Sequence, residues 1–454
     1  MIVAQNSFIE RYAKIAEENN RINQDYYVRY NVKRGLRNAD GTGVLVGLTE
    51  IGDVHGYILD ENEKVPVEGR LTYRGIDVRD FVNGFQAEER YGFEEVAYLL
   101  LFGELPTSEE LVEFKELLGK KRKLPDQFTE DMILKAPSSD IMNKLARSVL
   151  ASYSYDENPD DTSIENVLRQ CIELIAAFPT MAAYGYQAKR HYYDHDSLFI
   201  HAPREDLGTA ENFLHMIRSD SNYTRLESEL LDLSMVLHAE HGGGNNSAFA
   251  IHVVSSTGTD TYSAIAAAAG SLKGPKHGGA NIKVINMMED IKQHVSDWED
   301  DEEVEKYLTK ILNKEAFDRT GLIYGMGHAV YTLSDPRAVL LREKACNLAK
   351  EKGLEKEYKL YTTVERLTPL LFEKLKGSSK VIAANVDFYS GFVYRMLNIP
   401  SELYTPIFAM ARIAGWSAHR IEELVSGGRI IRPAYKNVVA RREYIPLTER
   451  NHSH

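Results

Sequence analysis

Cysteine is scarce in this sequence: Cys171 and Cys346 stand far apart and form no Cys-x-x-Cys pair. That argues against a disulfide framework or a thiolate zinc site and fits a reducing compartment. Also missing is any apolar run of about eighteen residues, the length a membrane-spanning helix needs. The first twenty residues contain no uninterrupted apolar core, and Glu17 and Glu18 among them disfavour a transit peptide. A cytoplasmic protein without membrane attachment is expected. Net basic charge is lacking as well. With 54 Lys and Arg against 67 Asp and Glu the formal charge is -13, which argues against nucleic-acid partners, because phosphate binding needs a basic face. No Gly-x-x-x-x-Gly-Lys-Ser/Thr loop occurs, so a P-loop is not the means of meeting phosphates. Internal repeats and low-complexity linkers are absent, so composition marks no domain boundary.

What is present is a long, ordinary globular composition, 454 residues with 43% hydrophobic and 27% charged, enough for two or three domains. Helical patterning dominates and the expected fold class is mainly α. Residues 93–102 read as a buried helix stopped by Gly103 and Pro106, with Thr107 or Ser108 capping the next. Residues 164–177, 207–217, 226–239, 338–350 and 362–376 also have helical spacing, the last with Pro369 expected to break or kink it. Short strands are expected at 43–47 and 54–59. The acidic stretch 153–162 reads as a surface loop and 298–305 as a solvated helix start. No metal site is expected.

Five segments place chemistry-bearing side chains on glycine-rich or apolar backgrounds. Gly325-Met326-Gly327-His328-Ala329 leads through an Asp335-Pro336 turn to Arg337. Glycine permits positive φ and close backbone approach, and arginine's planar fork matches a carboxylate bidentately. Leu237 to Asn246 carries His238 and His241 into a glycine turn. Lys273 to Asn281 sets His277 after a Gly-Pro break and before a helix. Asn385 to Gly391 isolates Asp387 among apolar and aromatic residues. In the C-terminal segment, Arg412 and Arg432 interrupt apolar runs. Taken singly, each has a plainer explanation: the histidines as helix caps, Asp387 as an N-cap, the arginines as surface side chains. Those explanations leave the repeated pattern of His, Asp and Arg in such settings unaccounted for.

Together the five segments resemble the citrate synthase family, of the bacterial Si type. Residues 33–44, 71–77 and 95–106 are similar to its N-terminal region, so the resemblance runs from about 33 to 435. Departures are Met326, Thr332, the His241-Gly-Gly-Gly version of its motif, and Arg432-Pro433-Ala434 where Arg-Pro-Arg is usual. The resemblance implies condensation of acetyl-CoA with oxaloacetate and hydrolysis to citrate and CoA, the entry step of the tricarboxylic acid cycle. It assigns Asp387 as base, His277 as donor to the enolate oxygen and His328 as donor to the oxaloacetate carbonyl. His241, Arg337, Arg412 and Arg432 would hold oxaloacetate, Arg432 from the other subunit of a homodimer. It further implies a large helical domain, residues 1–278 and 391–454, and a small mobile one on the CoA side, residues 279–390. Acetyl-CoA would be a cosubstrate, with no tightly bound cofactor and no metal. Lys273, Lys276 and Arg342 lie near the motifs, but no CoA-binding residue is assigned. The alternatives are 2-methylcitrate synthase, using propionyl-CoA through the same residues, and a non-catalytic scaffold of the same fold.

Overall fold

The computed structural model describes residues 2–60, 63–328, 330–377, 382–426 and 428–450. The chain divides after Thr49. The first unit holds helices α1 (Ile2–Asn19) and α2 (Asp25–Arg29). The strand expected at 43–47 does not form. Gly43 makes only an isolated bridge to Arg37, and Leu45 and Leu48 are exposed. Without a paired neighbour the run has nothing to bury its apolar side chains against.

The second unit opens with three antiparallel strands, β1 (Gly52–Asp60), β2 (Glu63–Tyr73) and β3 (Ile76–Asp77). The expected strand at 54–59 lies within β1. Its partner β2 was hidden in sequence by Pro66 and four charged residues, Glu63, Lys64, Glu68 and Arg70. Thereafter the unit is helical: α3 (Val78–Ala87), α4 (Phe93–Phe102), α5 (Ser108–Lys121), α6 (Ile141–Ser152), α7 (Ile164–Tyr193), α8 (Thr209–Ile217) and α9 (Arg225–His238). Then come α10 (Asn246–Ser255), α11 (Thr261–Lys273), α12 (Ala280–His294), α13 (Asp301–Leu312), α14 (Pro336–Glu351), α15 (Glu355–Lys376), α16 (Val386–Met396) and α17 (Tyr404–Val425). The mainly α expectation holds.

Sequence signals set many of the ends. Gly103 closes α4 with φ of 83°, and Thr107 forms a capping box with Glu110 at the start of α5. Asp156 departs from the surface-loop reading of 153–162: its side chain is only 4% exposed and pairs with Arg169 at 2.7 Å. Pro369 does not end α15, which runs continuously past it. A proline inside a helix costs about 3 kcal/mol, and burial of Leu360, Tyr361, Val364, Leu367 and Leu371 along that helix offsets the loss.

Two groups of helices matter for the site. The buried α17 packs against α4, α7, α9, α10 and α11, while α14 packs against α15 and α16, and α12 against α16. The β1–β2 hairpin touches the loop before α14 so closely that only glycine fits. A methyl on Gly56 would lie 2.5 Å from the Val330 carbonyl oxygen, and one on Gly69 would lie 2.0 Å from that of Ser334. Among the described residues no helix is long and apolar enough to cross a membrane.

Candidate active site

The two segments that carry His328 and Asp387 are joined by backbone pairing. Gly327 donates its N–H to the Ala383 carbonyl at 2.7 Å, Asn385 donates to the Gly325 carbonyl at 2.9 Å, and Met326 bridges Ala384. Gly325 and Gly327 have φ of 77° and 90°, which a side chain would strain. The Asn385 side chain serves both sides, its Nδ2 donating to the Gly327 carbonyl and its Oδ1 capping α16 through the Asp387 N–H at 3.0 Å. Asp387 thus stands in the first turn of α16. Ala329, part of this loop, lies outside the described residues.

Asp335 is a member of the site that sequence reasoning missed, having read it only as the start of a turn. Its carboxylate caps α14, takes a two-pronged pair from Arg337 (Nε at 3.0 Å, Nη2 at 2.8 Å), and also accepts the Val386 N–H at 3.1 Å. All of this is buried. Asp335 therefore ties the Arg337 loop to the helix bearing Asp387, and it offsets the arginine's charge. Burial depresses the Arg337 pKa, but Asp335 outweighs burial and the group stays charged.

Arg412, from the middle of α17, is differently placed. Its Nε donates to the His238 carbonyl at 2.6 Å, and both Nη atoms are buried with no hydrogen-bond partner. Burial, followed by repulsion from Arg337, lowers its pKa to about 10 against the pull of Glu240; it is still a cation at neutral pH. A buried guanidinium with two idle nitrogens is a seat for an anion, since leaving it unpaired is costly.

Three histidines close around this cation pair. His241 follows α9 just before Gly242 turns the chain at φ of 79°. Its ring lies 5.3 Å from that of His328 and 5.6 Å from Tyr331, and His328 stacks on Tyr331 at 4.7 Å. Arg337 in turn covers the Tyr331 face at 5.6 Å. Tyr331 is thus a second residue missed in sequence, where nothing local ties it to the two histidines. His328 Nδ1 accepts the Val330 and Tyr331 backbone N–H groups, both at 3.1 Å. A nitrogen accepting two such bonds carries no proton, so in the neutral ring Nε2 holds it. His241 Nε2 is buried without a partner, and burial, then Arg337, drives the ring's pKa well below the usual imidazole value. His238 is wholly buried with both ring nitrogens unpartnered and its ring against Phe408, which the plainer explanation of a helix cap does not account for.

His277 sits in the turn between α11 and α12, as expected. Its Nε2 lies 3.1 Å from Asn245 Oδ1 and 3.3 Å from Ser247 Oγ, and that hydroxyl accepts the Trp416 indole N–H at 3.0 Å. Burial, then Arg412, lowers its pKa to about 4, so the ring is neutral at pH 7. The Asp387 carboxyl, half-buried by surface, is pushed up to about 6, chiefly by loss of water, against the attraction of Arg337 and Arg412. It is a carboxylate at neutral pH with a strength suited to proton abstraction.

Six of the seven residues singled out in sequence thus gather about one region: His241, His277, His328, Arg337, Arg412 and Asp387. Arg432 does not join them. It is exposed on the extended segment after α17, beside Ile431, whose N–H bonds Ser256 Oγ at 3.1 Å. Behind the site, buried Glu240 accepts from His419 at 3.1 Å; burial would lower the His419 pKa, but Glu240 raises it to about 9.

Comparison with known proteins agrees in kind. A family model described as citrate synthase, C-terminal domain, matches residues 38–434. The chain is 35% identical to citrate synthase of Synechocystis sp., covering 84% of this chain and 89% of the relative. It is 34% identical to 2-methylcitrate synthase of Shewanella oneidensis, covering 84% and 92%. Among solved structures, citrate synthase from Thermotoga maritima superposes with a TM-score of 0.71 at 32% identity, covering 92% of this chain and 99% of that one. The Thermoplasma acidophilum citrate synthase in ternary complex with carboxymethyl coenzyme A and oxaloacetate gives 0.74 at 28% identity, covering 92% and 99%. The chain belongs to the citrate synthase family.

Proposed function

We propose that this chain condenses acetyl-CoA with oxaloacetate and hydrolyses the resulting citryl-CoA to citrate and CoA. The observation that carries the reading is the gathering of one poised carboxylate, Asp387, with neutral His277 and the cations Arg337 and Arg412. Thioester methyl protons are weakly acidic, so the base needs a partner that stabilises the enolate oxygen as it forms. Asp387 takes the proton and His277 donates to the oxygen. A neutral imidazole suits that task because it stabilises charge without giving up its proton early. The enolate carbon attacks the oxaloacetate carbonyl, and the Nε2 proton of His328 meets the developing alkoxide. Arg412, Arg337 and His241 hold the two carboxylates. Arg432 completes the grip from the second subunit of a homodimer, which accords with its exposure here.

The same reading takes residues 279–390 as a small domain that closes on residues 1–278 and 391–454, with hinges near His277 and Asp387. Acetyl-CoA enters as cosubstrate, the protein holds no resident cofactor or metal for this reaction, and it works in the cytoplasm.

The test is thiol release from acetyl-CoA in the presence of oxaloacetate. Loss of a general base lowers kcat by about 10²–10⁴-fold, and that is expected for Asp387→Ala. Equal rates in the two proteins would remove Asp387 from the mechanism. The relatives include 2-methylcitrate synthases, which keeps propionyl-CoA in view as a second thioester. One methylene changes discrimination by about 1–3 kcal/mol, so kcat/KM for the two thioesters decides, with acetyl-CoA expected to be preferred.

A further inference from the structure

Outside the reacting groups, α10 and α17 bring a second set of imidazoles and carboxylates together. His252 comes from α10; His419, Glu422 and Glu423 come from α17; Glu240 comes from the turn between α9 and α10. One nitrogen from each histidine and one oxygen of Glu422 lie within 4.8 Å of one another. His419 is wholly buried, and the His252 side chain is 13% exposed.

The orientation of the rings is the informative part. His252 Nδ1 lies 2.8 Å from Glu423 Oε2, and His419 Nε2 lies 3.1 Å from Glu240 Oε1. Each ring is therefore anchored by a carboxylate through its remote nitrogen. Metal-binding histidines almost always donate the remote N–H to a carboxylate, a backbone carbonyl or water, and such a partner fixes the tautomer and strengthens the ligand. The near nitrogens, His252 Nε2 and His419 Nδ1, face each other at 3.1 Å. Two nitrogens each about 2.0–2.1 Å from a tetrahedral zinc ion would be about 3.3–3.4 Å apart, so the observed spacing needs only a small opening. Glu422 supplies the third group. Its Oε2 is 3.7 Å from His419 Nδ1, while its Oε1 is steadied by the Glu50 N–H at 2.7 Å.

The charges are also suitable. Glu240, Glu422 and Glu423 surround the two rings. Arg74 is drawn to Glu422 and Glu240, and Arg412 to Glu240, yet neither bonds the facing nitrogens, which meet each other and, at His419 Nδ1, Glu422. We propose that His252 Nε2, His419 Nδ1 and a Glu422 carboxylate oxygen bind a divalent transition-metal ion of the zinc type, with water as fourth ligand, the proton now shared between the two facing nitrogens passing to solvent as the ion enters. Two imidazoles and one carboxylate suit zinc better than magnesium or calcium, which prefer oxygen-only sites. The ion joins α10, whose first turn carries Ser247 beside His277, to α17, which carries Arg412 and Trp416. It would act as a clip beneath the substrate pocket and take no part in bond making.

The test uses the full chain, stripped with a chelator and titrated with Zn²⁺ under equilibrium dialysis, with Co²⁺ as an optical probe. One equivalent per chain is expected, with a rise in Tm on zinc addition and a cobalt ligand-field band of four-coordinate intensity. His252→Ala should weaken binding by at least a hundredfold and abolish the zinc-dependent rise in Tm. Glu423→Gln, which removes only the anchor of His252 near the surface, should weaken binding by about 10–100-fold and guards against a folding defect in the first variant. No stoichiometric zinc in the wild type, or equal zinc retention by wild type and both variants, would overturn the proposal. Because the readouts are metal content, spectrum and Tm, either result leaves the catalytic reading to its own assay.

Discussion

Two buried charge clusters in the same unit are built on opposite plans. Around Glu227 every valence is used. Its carboxylate pairs with Arg218 and with Lys352, each at 2.7 Å, and accepts the Thr224 N–H at 2.9 Å. Arg218 also donates to the Leu397 and Asn222 carbonyls. Burial resists the ionised form, yet the two cations hold the Glu227 pKa down to about 2. Around Arg412 the reverse holds. Two guanidinium nitrogens, both His238 nitrogens and His241 Nε2 are buried and idle. The first arrangement stabilises the fold, whereas the second leaves its bonding capacity unspent. In buried polar clusters, what is left unbonded says more about function than the charge itself.

That contrast can be broken at either end. Arg412→Leu should raise the KM for oxaloacetate strongly. Losing one partner of a buried charged pair costs about 2–5 kcal/mol, roughly 30- to several-thousand-fold, while Tm should hold or rise because an unpaired buried charge has gone. A lowered Tm with unchanged KM would place Arg412 among the structural groups. Glu227→Gln should do the opposite, destabilising by about 2–3 kcal/mol, below the fully buried figure because Arg218 and Lys352 keep some contact with water, with KM unchanged. The depressed Glu227 pKa also fixes a pH window. Its contribution is complete above the ordinary glutamate value of 4.5 and is lost as pH falls from there towards about 2; the mutant's melting curve should lack that segment.

Smaller effects sharpen the comparison. Asp387 must be ionised to accept a proton, so kcat/KM should fall as pH drops through about 6, close to tenfold per unit below it. Asp387→Glu should move that limb, which a role confined to packing would not. Filling the idle cluster should also order the loops about it. Oxaloacetate is expected to slow limited proteolysis a few-fold, and unchanged cleavage at every loop would count against closure.

Much of the site was legible because its parts carry local signatures. The glycines about His328 and His241, the Gly-Pro break before His277 and the lone acid at Asp387 are all short-range features. So were the cap at Thr107 and the stop at Gly103. What escaped was whatever depends on a distant partner. Asp335 looked like turn chemistry because Arg337 and Val386 meet its carboxylate only in the fold. Tyr331 drew no reading of its own, because its ring meets His328 and Arg337 only in the fold. Strand β2 was masked by its charges, and Pro369 was overruled by the burial of α15 on both sides of it. The run 43–47 erred in the other direction, having strand-like residues with no strand to pair with.

The short antiparallel stitch between Gly325–Gly327 and Ala383–Asn385 carries a lesson for anyone who would redesign this protein. The segments that carry His328 and Asp387 are cut from one piece of backbone fabric, so neither can be transplanted, lengthened or shuffled alone without moving its counterpart. Recombination between homologues should succeed when crossovers fall outside residues 325–385 and fail when a single breakpoint separates the two edges of that seam.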